Sequence, residues 1–170
     1  MTKASHEIKN WYPVCTQSRA EKKAHLHLCR KNITSYLPTD RKLKQWSDRK
    51  KWIEEPLLTS YLFVHITPHQ QKDVLMTPGI ARFIYFSGKI ASIPAQQIEQ
   101  LKMLTASPYT LEVTAENLSA GEKITIKAGA LRGMNAEVVE YRSQKRLLLR
   151  LSDLNNAILV HVPASLIERI

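Results

Sequence analysis

The chain has 170 residues, 44% of them hydrophobic and 24% charged, with a formal net charge of +10. That is enough apolar material for one medium core or two small ones, which excludes a disordered chain. No apolar run reaches the roughly 18 residues a membrane helix needs, and the polar Met1–Asn10 segment lacks the apolar centre of a signal peptide, so a cytoplasmic protein without a membrane partner is expected.

The charge is unevenly spread. Residues 1–106 carry 17 Lys and Arg against 8 Asp and Glu, whereas residues 107–170 carry 8 against 7. A basic first part and a near-neutral second part predict two modules with different partners, the first facing a polyanion. Cys15 and Cys29 form no Cys-x-x-Cys pair and are expected as small buried residues. His65 and His69 are separated by Pro68 and share no helical turn, so no metal site and no cofactor are expected.

In chain order, Lys9–Thr16 reads as a strand around Trp11, Tyr12 and Val14, with Pro13 marking an edge or bulge. Ser18 and Glu21 have capping-box spacing and predict a helix to about Lys31. On it Ala24, Leu28 and Cys29 can face a core, while Lys23, His27, Arg30 and Lys31 share the other side and Leu26 fits neither. Residues 33–55 read as a long basic hairpin turning at Ser47–Lys50, with six Lys and Arg and one Asp between Arg41 and Lys51. Its Trp46 and Trp52 interleave with cations, a pattern suited to nucleic acid or to a mobile loop.

Tyr61–Ile66 is rich in aromatic and aliphatic residues and bounded by Pro56 and Pro68, as a strand should be. A short helix over 69–76, a strand over 80–86, a tight turn at Ser87–Lys89, its partner over 90–93 and a helix from Ala95 to about Leu104 follow. Residues 107–120 lack periodicity and read as a linker. Beyond them, short alternating strands, among them those around Ile124, Val138, Leu147–Leu151 and Ile158–Val162, predict a small five-stranded barrel, with turns at Gly129–Gly133, Arg142–Gln144 and Asp153–Asn156.

This order, together with Trp11-Tyr12, Glu21, Pro56-Leu57 with Tyr61, Thr77-Pro78-Gly79 with Phe83, and Ile93-Pro94, resembles the NusG family of transcription elongation factors over nearly the whole chain. The resemblance implies an α+β fold. An NGN domain over 1–106, an antiparallel sheet flanked by helices, would precede a linker over 107–120 and a KOW-type β-barrel over 121–170. Three departures stand out: Leu58 replaces the family's usual Phe, Thr59-Ser60 its Pro-Gly, and Ala136 the KOW glycine. With the basic first helix, they make the chain look like specialised antiterminators of the RfaH and UpxY type, which act on long operons such as polysaccharide operons.

The resemblance also implies sites. Leu58 and Tyr61, with Cys15 on the neighbouring strand, match positions that line a pocket for the clamp helices of RNA polymerase. Gln70 and Gln71 match the loop that meets the polymerase gate loop. Lys23, His27, Arg30 and Lys31, with Thr77, match positions facing the displaced non-template DNA strand. The second domain would bind a ribosomal protein, Rho or a dedicated regulator. No nucleophile–base pair, paired carboxylate at helical spacing or Gly-rich phosphate loop occurs, so no enzymatic activity is expected. Ordinary core packing and a solvated helix face are the plain alternatives for these residues. For the whole protein the alternative is a ribosome-associated or RNA-binding protein, separated by whether polymerase or ribosomes co-purify.

Overall fold

The computed structural model describes residues 7–116, 118–151, 154 and 156–162. It divides between Ala95 and Gln96 into two units.

The first unit begins with β1 (Asn10–Thr16), α1 (Glu21–Arg30), β2 (Thr34–Tyr36), β3 (Thr39–Gln45), β4 (Lys50–Pro56) and β5 (Tyr61–Ile66). A 3-10 turn (Pro68–Gln70), α2 (Gln71–Leu75), β6 (Ile80–Phe83), β7 (Tyr85–Phe86) and β8 (Lys89–Ile90) complete it. The main sheet runs β2-β5-β1-β6, antiparallel throughout. Side chains alternate across a strand, so register decides which residues share a face. Val14 pairs with Leu62 on one side and Phe83 on the other. These residues, with Tyr12, Val64 and Ile66, pack on Ala24 and Leu28 of α1 and Val74 of α2 as one core. Each large side chain so buried stabilises the fold by about 1.5–3 kcal/mol.

The start of α1 differs from the capping-box expectation. Its N-cap is Ala20, without a side-chain cap. Glu21 instead lies 6% exposed and accepts the Ser60 N–H at 2.9 Å. Ser60 has φ +64°, in the turn that the Tyr61 N–H closes on the Leu58 carbonyl at 3.4 Å. The part-buried amide of that turn takes the carboxylate that sequence spacing had given to Ser18. At the other end Asn32 has φ +57°. The Ile33 N–H reaches the Leu28 carbonyl and the Asn32 N–H that of Cys29, both at 3.0 Å. This is a Schellman cap, sealed by burial of Ile33 in the core with Leu28. Cys29, expected inside, is exposed and Cys15 half-buried. The core stripe of this ten-residue helix is filled by Glu21, Ala24 and Leu28.

The predicted basic hairpin is present as a separate two-stranded sheet of β3 and β4. Gly79, at φ +91°, lies so close to α1 that an added Cβ would stand 3.1 Å from the Ala24 Cβ.

The second unit contains α3 (Ala95–Ala106), all but its first residue, then β9 (Thr110–Thr114), β10 (Glu122–Thr125), β11 (Asn135–Tyr141), β12 (Gln144–Leu151) and β13 (Asn156–His161). This division into units falls ahead of α3, whereas the expected first domain ran to residue 106. The expected linker contains a strand: β9 pairs with β13. The barrel expectation is also corrected. The sheet is open, ordered β10-β11-β12-β13-β9, and no ladder joins its edges among the described residues. The runs Leu147–Leu149 and Ala157–Val160 are buried at every position, so this sheet is covered on both faces, as layered sheets are. The Gln97 and Gln100 side-chain amides of α3 reach the Arg150 and Asn135 carbonyls at 3.4 and 3.5 Å. Asp153, in the expected 153–156 turn, and residues 163–170 lie outside the described residues.

Ala136 sits in β11 opposite Ile124 and is not among the residues with positive φ, whereas Gly129 and Gly133 are. The freedom of glycine is therefore not needed at position 136. It is needed for space at Gly121, where a Cβ would run into the Val138 carbonyl.

Removing the Glu21 carboxylate leaves the Ser60 amide without its acceptor. Glu21→Ala is expected to cost about 1–3 kcal/mol and Glu21→Gln, which keeps an acceptor, clearly less. Denaturant midpoints of the three proteins check this; equal losses would show that the bond contributes nothing beyond charge.

Candidate functional site

The sheet face turned away from α1 carries Trp11, Pro13 and Cys15 of β1 opposite His65, Phe63 and Tyr61 of β5. It is aromatic and partly open. Trp11 stacks on His65 at 4.7 Å and Tyr36 on Phe63 at 6.4 Å. Across three strands Tyr61, Cys15 and Arg82 form one row. Tyr61 and Cys15 are half-buried and Arg82 is exposed. Register therefore brings together two of the three residues expected to line an apolar pocket and adds a cation that sequence reasoning missed. The third, Leu58, is only 2% exposed, and its carbonyl anchors the turn leading into Tyr61. Its side chain is buried and adds almost nothing to the surface.

The outer side of α1 carries Lys23 and Arg30, exposed, and His27, half-buried, with Lys31 exposed at the C-cap. The basic residues His27 and Arg30 occupy the last turn, where cations also complement the helix dipole. Leu26, which fitted neither face of the predicted helix, is exposed among them. Two lysines are tied down by backbone carbonyls: Lys31 Nζ to Asp73 at 3.2 Å and Lys22 Nζ to Glu54 at 2.6 Å. Lys22 was not among the expected residues; only the fold, which carries Glu54 to the helix, reveals it.

The other expected residues fare differently. Thr77 is 2% exposed and donates its hydroxyl to the Asp73 carbonyl at 2.8 Å. It closes the end of α2 and offers no surface to DNA. Gln70 accepts the Thr67 N–H on its side-chain oxygen at 3.1 Å, leaving its amide NH₂ for outside contacts. Gln71 is half-buried at the start of α2.

His25 lies on the flank of α1 toward β2. Its Nδ1 is 2.7 Å from the Ser35 hydroxyl and its Nε2 4.0 Å from the Cys29 Sγ. Partial burial holds its pKa below the ordinary imidazole value, because desolvation disfavours the charged ring.

These features define a two-unit protein whose first unit joins a half-open aromatic sheet face to a basic helix. Residues 9–102 match the family model described as "NusG: Transcription termination factor nusG". That is more than half of the chain, which therefore belongs to the NusG family. Among solved structures, NusG of Thermotoga maritima is similar at 16% identity and TM-score 0.53, over 90% of this chain and 93% of that one. This likeness supports the fold. Two conformations of the MjSpt4:Spt5 complex also match, at 16% and 20% identity, over 88% and 84% of this chain and 91% and 84% of theirs, with TM-scores of 0.33 and 0.28. No helix among the described residues is long and apolar enough to cross a membrane.

The His25 shift has a definite sign. Its folded pKa lies below the ordinary imidazole value near 6.5, so the unfolded chain binds the proton first as pH falls. Stability is then lost as pH drops from about 7 through 6, levelling off below the folded pKa. His25→Gln should flatten that part of the stability–pH curve; an unchanged slope in urea titrations between pH 5 and 7 would remove His25 as its source.

Proposed function

We propose that this protein is a transcription elongation and antitermination factor that holds RNA polymerase in a pause-resistant state. The observation that carries the reading is the pairing, in one small unit, of the half-open Tyr61–Cys15 row with the basic outer face of α1. The first is an apolar seat for a protein helix, the polymerase clamp helices. The second is a cationic track for the non-template strand, with Lys23, Arg30 and Lys31 supplying attraction and His27 a hydrogen bond or stacking surface. Gln70 and Gln71 would meet the gate loop. Binding at both places needs only higher affinity for the active state to shift the population of paused complexes. Restriction to particular long operons would follow from base contacts made by the helix face.

The second unit fits a protein partner better. It is near neutral, and β9 and β10 present sheet edges to which a strand can add. We infer that it recruits a ribosomal protein, Rho or a dedicated regulator.

Pause lifetime and terminator read-through on one template test the reading. Tyr61→Ala should weaken polymerase binding about tenfold or more, roughly 1.4 kcal/mol, with an unchanged circular dichroism spectrum. Alanines at Lys23, Arg30 and Lys31 should lower the salt slope of binding to a scaffold with an open bubble, by up to about one unit per lost contact. Wild-type polymerase binding by Tyr61→Ala, or an unchanged slope in the triple variant, would refute the corresponding half of the assignment.

A further inference from the structure

The β3–β4 ribbon is not used by either surface above. Each strand has seven residues, a reach of roughly 24 Å at about 3.4 Å per residue. Its register sorts the charges in a way the sequence does not reveal. Asp40, Glu54 and Glu55 all fall at the base, opposite Glu55, Arg41 and Asp40. There Thr39 donates its hydroxyl to Glu54 and Lys44 pairs with Glu55. The distal half holds Lys42, Lys44, Arg49, Lys50 and Lys51, with Lys44 reaching back to Glu55 and Asp48 the acid at the tip. Lys44 stands directly across from Lys51, an arrangement of like charges that destabilises a ribbon.

The same distal half exposes large apolar groups: Trp46 is 54% and Trp52 60% exposed. An isolated two-stranded ribbon is only marginally stable in water, and this one carries both repulsion and exposed aromatics. A polyanion relieves the first and can cover the second. Alternation separates the cations onto both faces: Arg41 and Lys50 with Leu43 and Trp52 on one, Lys42, Lys44 and Lys51 on the other. A single strand would follow one face and stack its bases there. On that face Arg41 already lies over the Trp52 ring, 5.6 Å from its centre. Cations on both sides of a thin ribbon instead match a groove flanked by two phosphate chains, and the major groove of B-form DNA admits a two-stranded ribbon.

We propose that the β3–β4 ribbon is a second nucleic-acid element, separate from α1, that inserts into a groove of duplex DNA and is held by phosphates on both sides. The full chain should bind a duplex of about 20 base pairs with micromolar affinity at low salt, the range of non-sequence-specific contacts. Binding should quench tryptophan emission, because two of the three tryptophans lie on the ribbon and Trp11 is buried.

The variant K44Q/K50Q/K51Q should lower duplex affinity about tenfold or more and reduce the salt slope by about two to three units, with less than about threefold change for one isolated strand. The variant W46F/W52F should lose the quench. All five positions are exposed, and circular dichroism checks that the fold is kept. The proposal is overturned if the wild type does not bind the duplex, or if the lysine variant leaves duplex affinity and slope unchanged. It is equally overturned if the single strand loses as much as the duplex, which would make the ribbon a single-strand surface. Loss of duplex binding in the α1 triple alanine variant alone would move the grip to the helix.

Discussion

One part-buried contact organises the first unit: the Glu21 carboxylate accepting the Ser60 N–H. Through it the first turn of α1 holds the turn that begins β5. The Ser60 carbonyl in turn accepts the Thr16 N–H at 2.9 Å, and the Gln17 N–H reaches the Gly79 carbonyl at 2.8 Å. The N-terminus of α1 is thus fastened to the end of the sheet by side chain and backbone together. The position of Tyr61 beside Cys15 and the angle at which Lys23 and Arg30 leave the helix both follow from this junction. Ser60 stands where the family usually has glycine, and its left-handed backbone costs about 1–2 kcal/mol. A hydrogen bond to a charged acceptor contributes about 1.5–3 kcal/mol, enough to offset that cost.

Charge is layered onto this frame in a consistent way. Lys22 and Lys31 are anchored at their tips by carbonyls of Glu54 and Asp73. A carbonyl satisfies each donor without setting an opposite charge beside it. The surface around α1 therefore stays cationic while these two side chains lose freedom. In the second unit Glu112 and Glu137 are paired internally. Glu112 accepts from the Tyr141 hydroxyl and lies 3.2 Å from His161 Nε2, and Glu137 pairs with Arg150 at 2.7 Å. Those contacts fasten β9 and the 118–119 segment to the sheet, with Arg150 also donating to the Leu118 and Ser119 carbonyls. The near-neutral charge of that unit is set by its composition, 8 Lys and Arg against 7 Asp and Glu over residues 107–170, and these pairs fix strands rather than change that sum.

Much of this was legible in the residues. Strong periodicity located α1, β5 and α3, and turn chemistry located the hairpins at Ser47–Lys50, Ser87–Gly88 and Arg142–Ser143, the last two with left-handed backbones. The helical stripe of Lys23, His27 and Arg30 was visible because a 3.6-residue period needs no tertiary information. What escaped was whatever depends on contacts distant in sequence. Glu21 was assigned to Ser18 because spacing alone cannot see a partner 39 residues away. Thr110–Thr114 looked like linker because it is a short edge strand recruited by β13. The barrel was expected because alternation cannot distinguish a closed sheet from an open one with both faces covered.

The same distinction governs the candidate site. Local matching grouped Leu58, Tyr61 and Thr77 with the surface, yet two of the three are nearly inaccessible. Their placement is still informative. Leu58 and Thr77 each shape a turn, one entering β5 and the other preceding Gly79 and β6. They therefore lie at the two flanks of the row that presents Tyr61, Cys15 and Arg82. A binding row on a sheet is only as well defined as the strand ends that set its register, since a slip of one residue would exchange its two faces. Leu58 and Thr77 thus help hold the row in register, and its accessible surface is left to the side chains that remain half-exposed or exposed.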